Sequence, residues 1–146
     1  MLTTPLPLLL IEDDELDCEL IERTLRGAAP FYALTIARDC GEALELLRPH
    51  NGHQPYFPAI ILLDLTLPGM NGLEFLRLLR GDPHLRACII FVLTDSDVEA
   101  DKRTAYQQVV AGYILKSELA SNTGMLLDLL ESYREVVEFP VPVGVS

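Results

Sequence analysis

Four short apolar runs along this chain each end in a polar residue of a different kind. Leu8-Leu9-Leu10-Ile11 runs into Glu12-Asp13-Asp14, and Ile60-Ile61-Leu62-Leu63 into Asp64. Ile89-Ile90-Phe91-Val92-Leu93 runs into Thr94, and Tyr113-Ile114-Leu115 into Lys116. Such runs are the pattern of parallel strands buried on both faces. Phe31 to Ala37 alternates and is rich in strand formers, which adds a further strand.

Between the strands the apolar spacing becomes helical. Glu15 to Arg26 places Cys18, Ile21 and Leu25 on one face. Asp13 or Asp14 can cap its start, and Gly27 ends it. Gly41 to Arg48 is helical with Ala43, Leu44 and Leu47 inward, and Leu73 to Arg80 aligns Leu73, Leu76 and Leu79. Asp97 to Val109 is a helix with a sparse apolar side of Val98, Ala105, Tyr106 and Val109, hence a weakly packed one. Leu119 to Glu138 reads as one long final helix, stopped by Phe139-Pro140-Val141-Pro142. Pro49 to Pro58 and Leu67 to Gly72 are loops.

Strands alternating with helices predict an α/β fold, a doubly wound five-stranded parallel sheet in a three-layer sandwich with right-handed crossovers. In the flavodoxin-like order 2-1-3-4-5, the first and third strands meet at the switch point, and ligands bind beyond the carboxyl ends of the strands. One domain over residues 5–138 is expected, with residues 139–146 as a Pro/Val tail.

The charge narrows the function. Eleven basic residues against twenty-two acidic ones give a net −11, which opposes direct nucleic-acid binding. No apolar stretch is long enough to span a bilayer, and the N-terminus lacks a basic leader. Cys18, Cys40 and Cys88 are far apart and read as reduced core residues of a cytoplasmic protein. His50 and His53 lie in a Pro/Gly loop without further ligands and are read as loop histidines.

The strand ends carry the chemistry. Glu12, Asp13 and Asp64 at adjoining ends repel one another unless a proton or cation compensates. Mg²⁺ suits a site of few carboxylates and several waters. Taken alone, Glu12-Asp13-Asp14 is explained as a helix cap with solvated charges. Asp64 is harder to explain so, because a buried unpaired carboxylate at the end of an apolar run is costly. An aspartate can act as nucleophile toward phosphorus. Thr94 offers a hydroxyl to a phosphoryl oxygen, and Lys116 a compact positive charge.

These segments resemble the receiver domain of two-component response regulators. Leu9 to Asp14 resembles the family's first acidic strand end, and Leu62 to Glu74 its phosphoacceptor loop. Val92-Leu93-Thr94 and Tyr113-Ile114-Leu115-Lys116 resemble its last two motifs. The resemblance implies that Asp64 accepts a phosphoryl group from a histidine kinase. It implies Mg²⁺ held by Asp13 and Asp64, with support from Glu12 and the backbone carbonyl of Thr66. Thr94 and Lys116 would bind the phosphoryl oxygens, and Thr94 with Tyr113 would form the switch. Three departures stand out: Ser117 follows Lys116 where the family has proline, the loop from Pro49 to Pro58 is long, and Thr66 and Ser96 occupy positions that tune dephosphorylation.

Tyr106 to Ser117 and Tyr133 to Pro140 further resemble single-domain regulators paired with bacterial and cyanobacterial phytochrome kinases. That implies a red-light-responsive kinase partner. On the final helix, Leu126, Leu130, Tyr133 and Val137 form an apolar stripe with Phe139 beside it, wider than one packing face needs. The stripe fits a homodimer interface or a helix simply well buried, and these residues are the interface candidates. The alternative is a receiver-fold dimer that works as an interaction module without phosphate; Mg²⁺ binding separates the two. An aspartate-nucleophile phosphatase would need a second acid two residues after Asp64, where Thr66 stands. The chain is therefore expected not to be an enzyme beyond its own phosphoryl transfer and slow autodephosphorylation.

Overall fold

Leu8 to Ile11 are fully buried, and so are Ile60 to Leu63. In an extended chain, successive side chains point to opposite faces, so an unbroken apolar run needs a helical layer on each side. A computed structural model shows those layers; it describes residues 5–28, 31–48, 56–67, 69–95, 98–122, 124–136 and 139. The strands are β1 (Leu6–Ile11), β2 (Tyr32–Ala37), β3 (Ile60–Asp64), β4 (Ile89–Thr94) and β5 (Gly112–Leu115). They form one parallel sheet in the order β2-β1-β3-β4-β5, the expected doubly wound topology. β1 begins two residues before the apolar run and takes in Pro7, whose carbonyl accepts a hydrogen bond from the Ala59 N–H at 2.8 Å.

The two faces make two cores. Leu9, Ile11, Ile61, Leu63, Ile90 and Val92 pack on one side with Ala43 and Leu47 of α2 (Cys40–Leu47) and Phe75, Leu76 and Leu79 of α3 (Gly72–Gly81). Leu8, Leu10, Ile60, Leu62, Phe91 and Leu93 pack on the other with Cys18, Ile21 and Leu25 of α1 (Glu15–Arg26) and with the C-terminal helices. Each buried Leu, Ile, Val or Phe contributes about 1.5–3 kcal/mol through removal from water. Cys18, Cys40 and Cys88 are free and buried, as expected.

Three local expectations are corrected. The final helix is two: α5 (Lys116–Ser121) and α6 (Gly124–Val136). Asn122 leaves helical geometry at φ −149°, ψ 87°, in the segment Asn122-Thr123-Gly124, whose residues favour helix weakly. Leu126 and Leu130, candidates for a dimer interface, are buried in this chain's own core, because α6 turns that side to the sheet. Tyr133 and Phe139 are half-buried against the same core, while Val137 lies outside the described residues.

The third correction concerns α4 (Glu99–Gln107), where Ala105 alone of the predicted inward set is buried. Val98 precedes the helix at an extended ψ, and Tyr106 and Val109 are exposed. Val109 takes φ +58°, rare for a β-branched residue, and so leaves the helical face. The Arg80 guanidinium fixes this turn by donating to the carbonyls of Gln108, at 2.6 Å, and Val109, at 2.8 Å. It also donates to the carbonyls of Arg86 and Cys88, which ties α3 to two neighbouring loops.

Candidate functional site

The sheet register decides which strand ends meet. Ile11 pairs with Leu63, Asp64 with Leu93, and Thr94 with Leu115. Glu12 and Asp64 are therefore neighbours at the ends of β1 and β3, and Thr94 adjoins the residue before Lys116. Glu12, Asp64 and Thr94 are the buried polar residues among those described. Asp13, next in the chain, is exposed. The helix cap falls to Asp14, whose Oδ1 accepts from the N–H groups of Leu16 at 2.9 Å and Asp17 at 3.1 Å. That frees Glu12 and Asp13 for the pocket.

Lys116 enters this pocket from the end of β5, where α5 begins. Its Nζ lies 2.6 Å from Glu12 Oε2, 2.8 Å from Asp17 Oδ2 and 3.3 Å from Asp64 Oδ2. An ammonium has three donors, and three carboxylates face it. Asp64 Oδ1 accepts from the Thr66 N–H at 3.1 Å, so both oxygens of Asp64 are oriented. Thr66 itself sits on the exposed bend after β3. Gly72, at the start of α3, packs directly on that bend and donates its N–H to the Leu65 carbonyl at 2.9 Å. Tyr113 on β5 is partly buried against the α3-side core.

The electrostatics follow from this crowding. Burial raises the Glu12 carboxyl to about 7; the Lys116 hydrogen bond opposes the rise and the charge of Asp64 adds to it. Burial of Lys116 disfavours its ammonium, but hydrogen bonds to Asp17 and Glu12 and the nearby Asp64 outweigh this and hold it above the usual lysine range. Glu12, Asp13 and Asp64 offer oxygens all within 4.8 Å of one another. One ammonium does not neutralise four carboxylates, and this excess suits a hard divalent cation with oxygen ligands.

A pH dependence follows. The folded value of Glu12, about 7, exceeds its ordinary 4.5, so the native state holds the proton more tightly between these values. The stabilising contribution is present below 4.5 and is lost as pH rises through 7. Denaturant unfolding of the metal-free protein at a series of pH values should show this fall, and Glu12→Gln should remove it. A variant with the same slope as wild type would place the proton elsewhere.

Of the residues expected from sequence, Glu12, Asp13, Asp64 and Lys116 are brought together, Thr94 is buried at the adjoining strand end, and Thr66 touches the site through its N–H. Asp17 was missed. No local signal marks it: Asp13 lies before the helix begins, and Asp17 is one more acid of the first turn of α1, beside Glu15.

The chain is similar to known proteins over most of its length. The family described as response regulator receiver domain matches residues 8–125. Response regulator Rcp1 of Synechocystis sp. is 31% identical over 138 residues, covering 93% of this chain and 94% of Rcp1. The crystal structure of its Mn²⁺-bound form superposes with a TM-score of 0.81, covering 94% of this chain and 100% of the other. The phosphorylated cyanobacterial phytochrome response regulator RcpA gives a TM-score of 0.84 at 29% identity, over 94% and 99% of the two chains. A five-stranded 2-1-3-4-5 sheet, a lysine-bridged acid pocket at its carboxyl edge and a match across the domain lead to one conclusion: the chain belongs to the response regulator receiver domain family.

Proposed function

We propose that this chain is a phosphoacceptor switch in which Asp64 takes a phosphoryl group from the phosphohistidine of a histidine kinase. The observation that carries the reading is the placement of the Asp64 carboxylate, buried, 3.3 Å from Lys116 and within the three-carboxylate cluster. An Asp64 oxygen attacks phosphorus, the phosphorus–nitrogen bond to imidazole breaks, and the imidazole leaves with that electron pair and takes a proton. Lys116 and Thr94 bind the phosphoryl oxygens. Glu12, Asp13, Asp64 and the Thr66 carbonyl would hold Mg²⁺, which when bound neutralises charge on the transferring group and orients the attack. The carboxylate set fits this ion.

The output is a change of protein–protein contacts or onward relay to another histidine. Thr94 and Tyr113 form the switch, which biases α4 and the surface about β5. α4 is built to respond, with Ala105 its one buried residue. Turnover is limited to the chain's own phosphorylation and slow autodephosphorylation. The similarity to the cyanobacterial phytochrome response regulator RcpA supports a phytochrome-type kinase partner; a cytoplasmic location is part of the same reading. We also read the chain as a homodimer through its C-terminal region. With Leu126 and Leu130 committed to the core, the exposed Met125 and Val136 and the half-buried Tyr133 and Phe139 are what α6 and its end offer a second copy.

Incubation with a phosphorylated phytochrome-type histidine kinase and Mg²⁺ tests the reading. Label should pass to the chain within minutes and stay with the kinase when Mg²⁺ is chelated. A chain that gains no label from any histidine kinase, while sedimenting as a dimer, would favour the phosphate-independent module.

A further inference from the structure

Lys116 is bound by one carboxylate that belongs to no part of the phosphoryl chemistry. Asp17, in the first turn of α1, is 2.8 Å from Nζ, closer than Asp64 at 3.3 Å, and lies outside the metal-ligating cluster. Its side chain is 32% exposed against 12% for Lys116, so it grips the ammonium from the rim of the pocket. A cavity of about 40 Å³ beside this pair is lined by Glu12 and otherwise by Leu20, Ile21, Leu93, Leu119 and Ala120, whose side chains offer the ammonium no acceptor. Asp17 is itself fixed, since its N–H is held by the Asp14 cap at 3.1 Å.

We propose that Asp17 is the positioning residue for Lys116: it tethers the ammonium from outside the metal-binding acids, so that the cation stays at the phosphoryl pocket when Glu12 and Asp64 turn to other ligands. The inference rests on the reading of Asp64 as phosphoacceptor. Glu12 and Asp64, two of the three partners of Lys116, are among the residues that would hold Mg²⁺. Asp17 does not compete for the ion and so retains its bond throughout. Without it, Lys116 leans on Glu12 and Asp64 and opposes the incoming cation.

The test is a double-mutant cycle read by phosphoryl uptake from a small acyl phosphate at saturating Mg²⁺. Asp17→Ala should slow uptake about three- to tenfold, the worth of one ordinary hydrogen bond at a partly exposed site, and Asp17→Glu should recover most of the loss. In a Lys116→Ala background, Asp17→Ala should change the rate less than about twofold, because the two residues act as a unit. The same fall in both backgrounds, or no fall in either, overturns the proposal. A second measurement needs no phosphoryl chemistry: the Lys116 side-chain ammonium resonance of the metal-free protein should be protected from exchange in wild type and lose that protection in Asp17→Ala. An unchanged resonance overturns the tether by itself. Loss of protection together with an unreactive wild-type Asp64 upholds the tether and overturns the phosphoacceptor reading instead.

Discussion

Asp64→Asn is expected to lower phosphoryl uptake by at least about a thousandfold, since an amide oxygen is a far poorer nucleophile toward phosphorus than a carboxylate. Loss of fold is not the expected cause. The substitution removes one of the buried negative charges around Lys116, and the ammonium keeps Glu12 and Asp17 at 2.6 and 2.8 Å. Glu12 also loses the neighbouring charge that helps to raise its carboxyl. The variant should therefore unfold at the same denaturant concentration as metal-free wild type or a higher one. Uptake measured with an acyl phosphate, beside a chemical unfolding curve, checks both halves. An Asp64→Asn protein that still gains label at the wild-type rate would move the acceptor to another side chain.

Gly72→Ala should have the largest effect on folding. A Cβ at this position would lie 2.5 Å from Leu65 Cα, 2.7 Å from the Asp64 carbonyl oxygen and 2.9 Å from Leu65 Cδ2. Two of these atoms are backbone, so no rotamer change relieves the overlap; α3 or the 64–65 bend must move. Forcing extra volume into such a contact costs about 1–3 kcal/mol, and the bend that moves carries the phosphoacceptor. Uptake should fall along with stability. Gly81→Ala is the control: it lies on the same helix with nothing within 4 Å of an added Cβ. It should leave stability unchanged or raise it by up to about 1 kcal/mol, the helix-propensity difference. Denaturant unfolding of both variants reads the contrast, and equal effects would show that the close approach at Gly72 is unimportant.

The parts of the molecule legible in the sequence are those where one short segment answers to one constraint. Leu8 to Ile11 and Ile60 to Leu63 are apolar without interruption because helices cover both faces, so strand, layer count and site edge could all be read from them. Asp64, Thr94 and Lys116 stood out because each polar residue closes such a run. What stayed illegible depends on partners distant in sequence. The left-handed turn at Val109 is held by Arg80, which no local pattern around Val109 announces. Leu126 and Leu130 formed a stripe that fits an interface or a core equally well, and the core took them once α6 was placed against Phe91 and Leu93. Asp17 sits in the acidic first turn of α1, where nothing local marks it, and its partner Lys116 is 99 residues away.

The claim that the acid pocket exists to phosphorylate Asp64 is tested most directly by locating the acyl phosphate. Phosphorylated protein is reduced with borohydride, which converts an aspartyl phosphate to homoserine, and the change is mapped by peptide mass spectrometry. Homoserine at position 64, dependent on Mg²⁺ and absent without phosphodonor, is the predicted result. Homoserine at position 13 or 14 instead, or an unmodified Asp64 in protein that carries label, would contradict it.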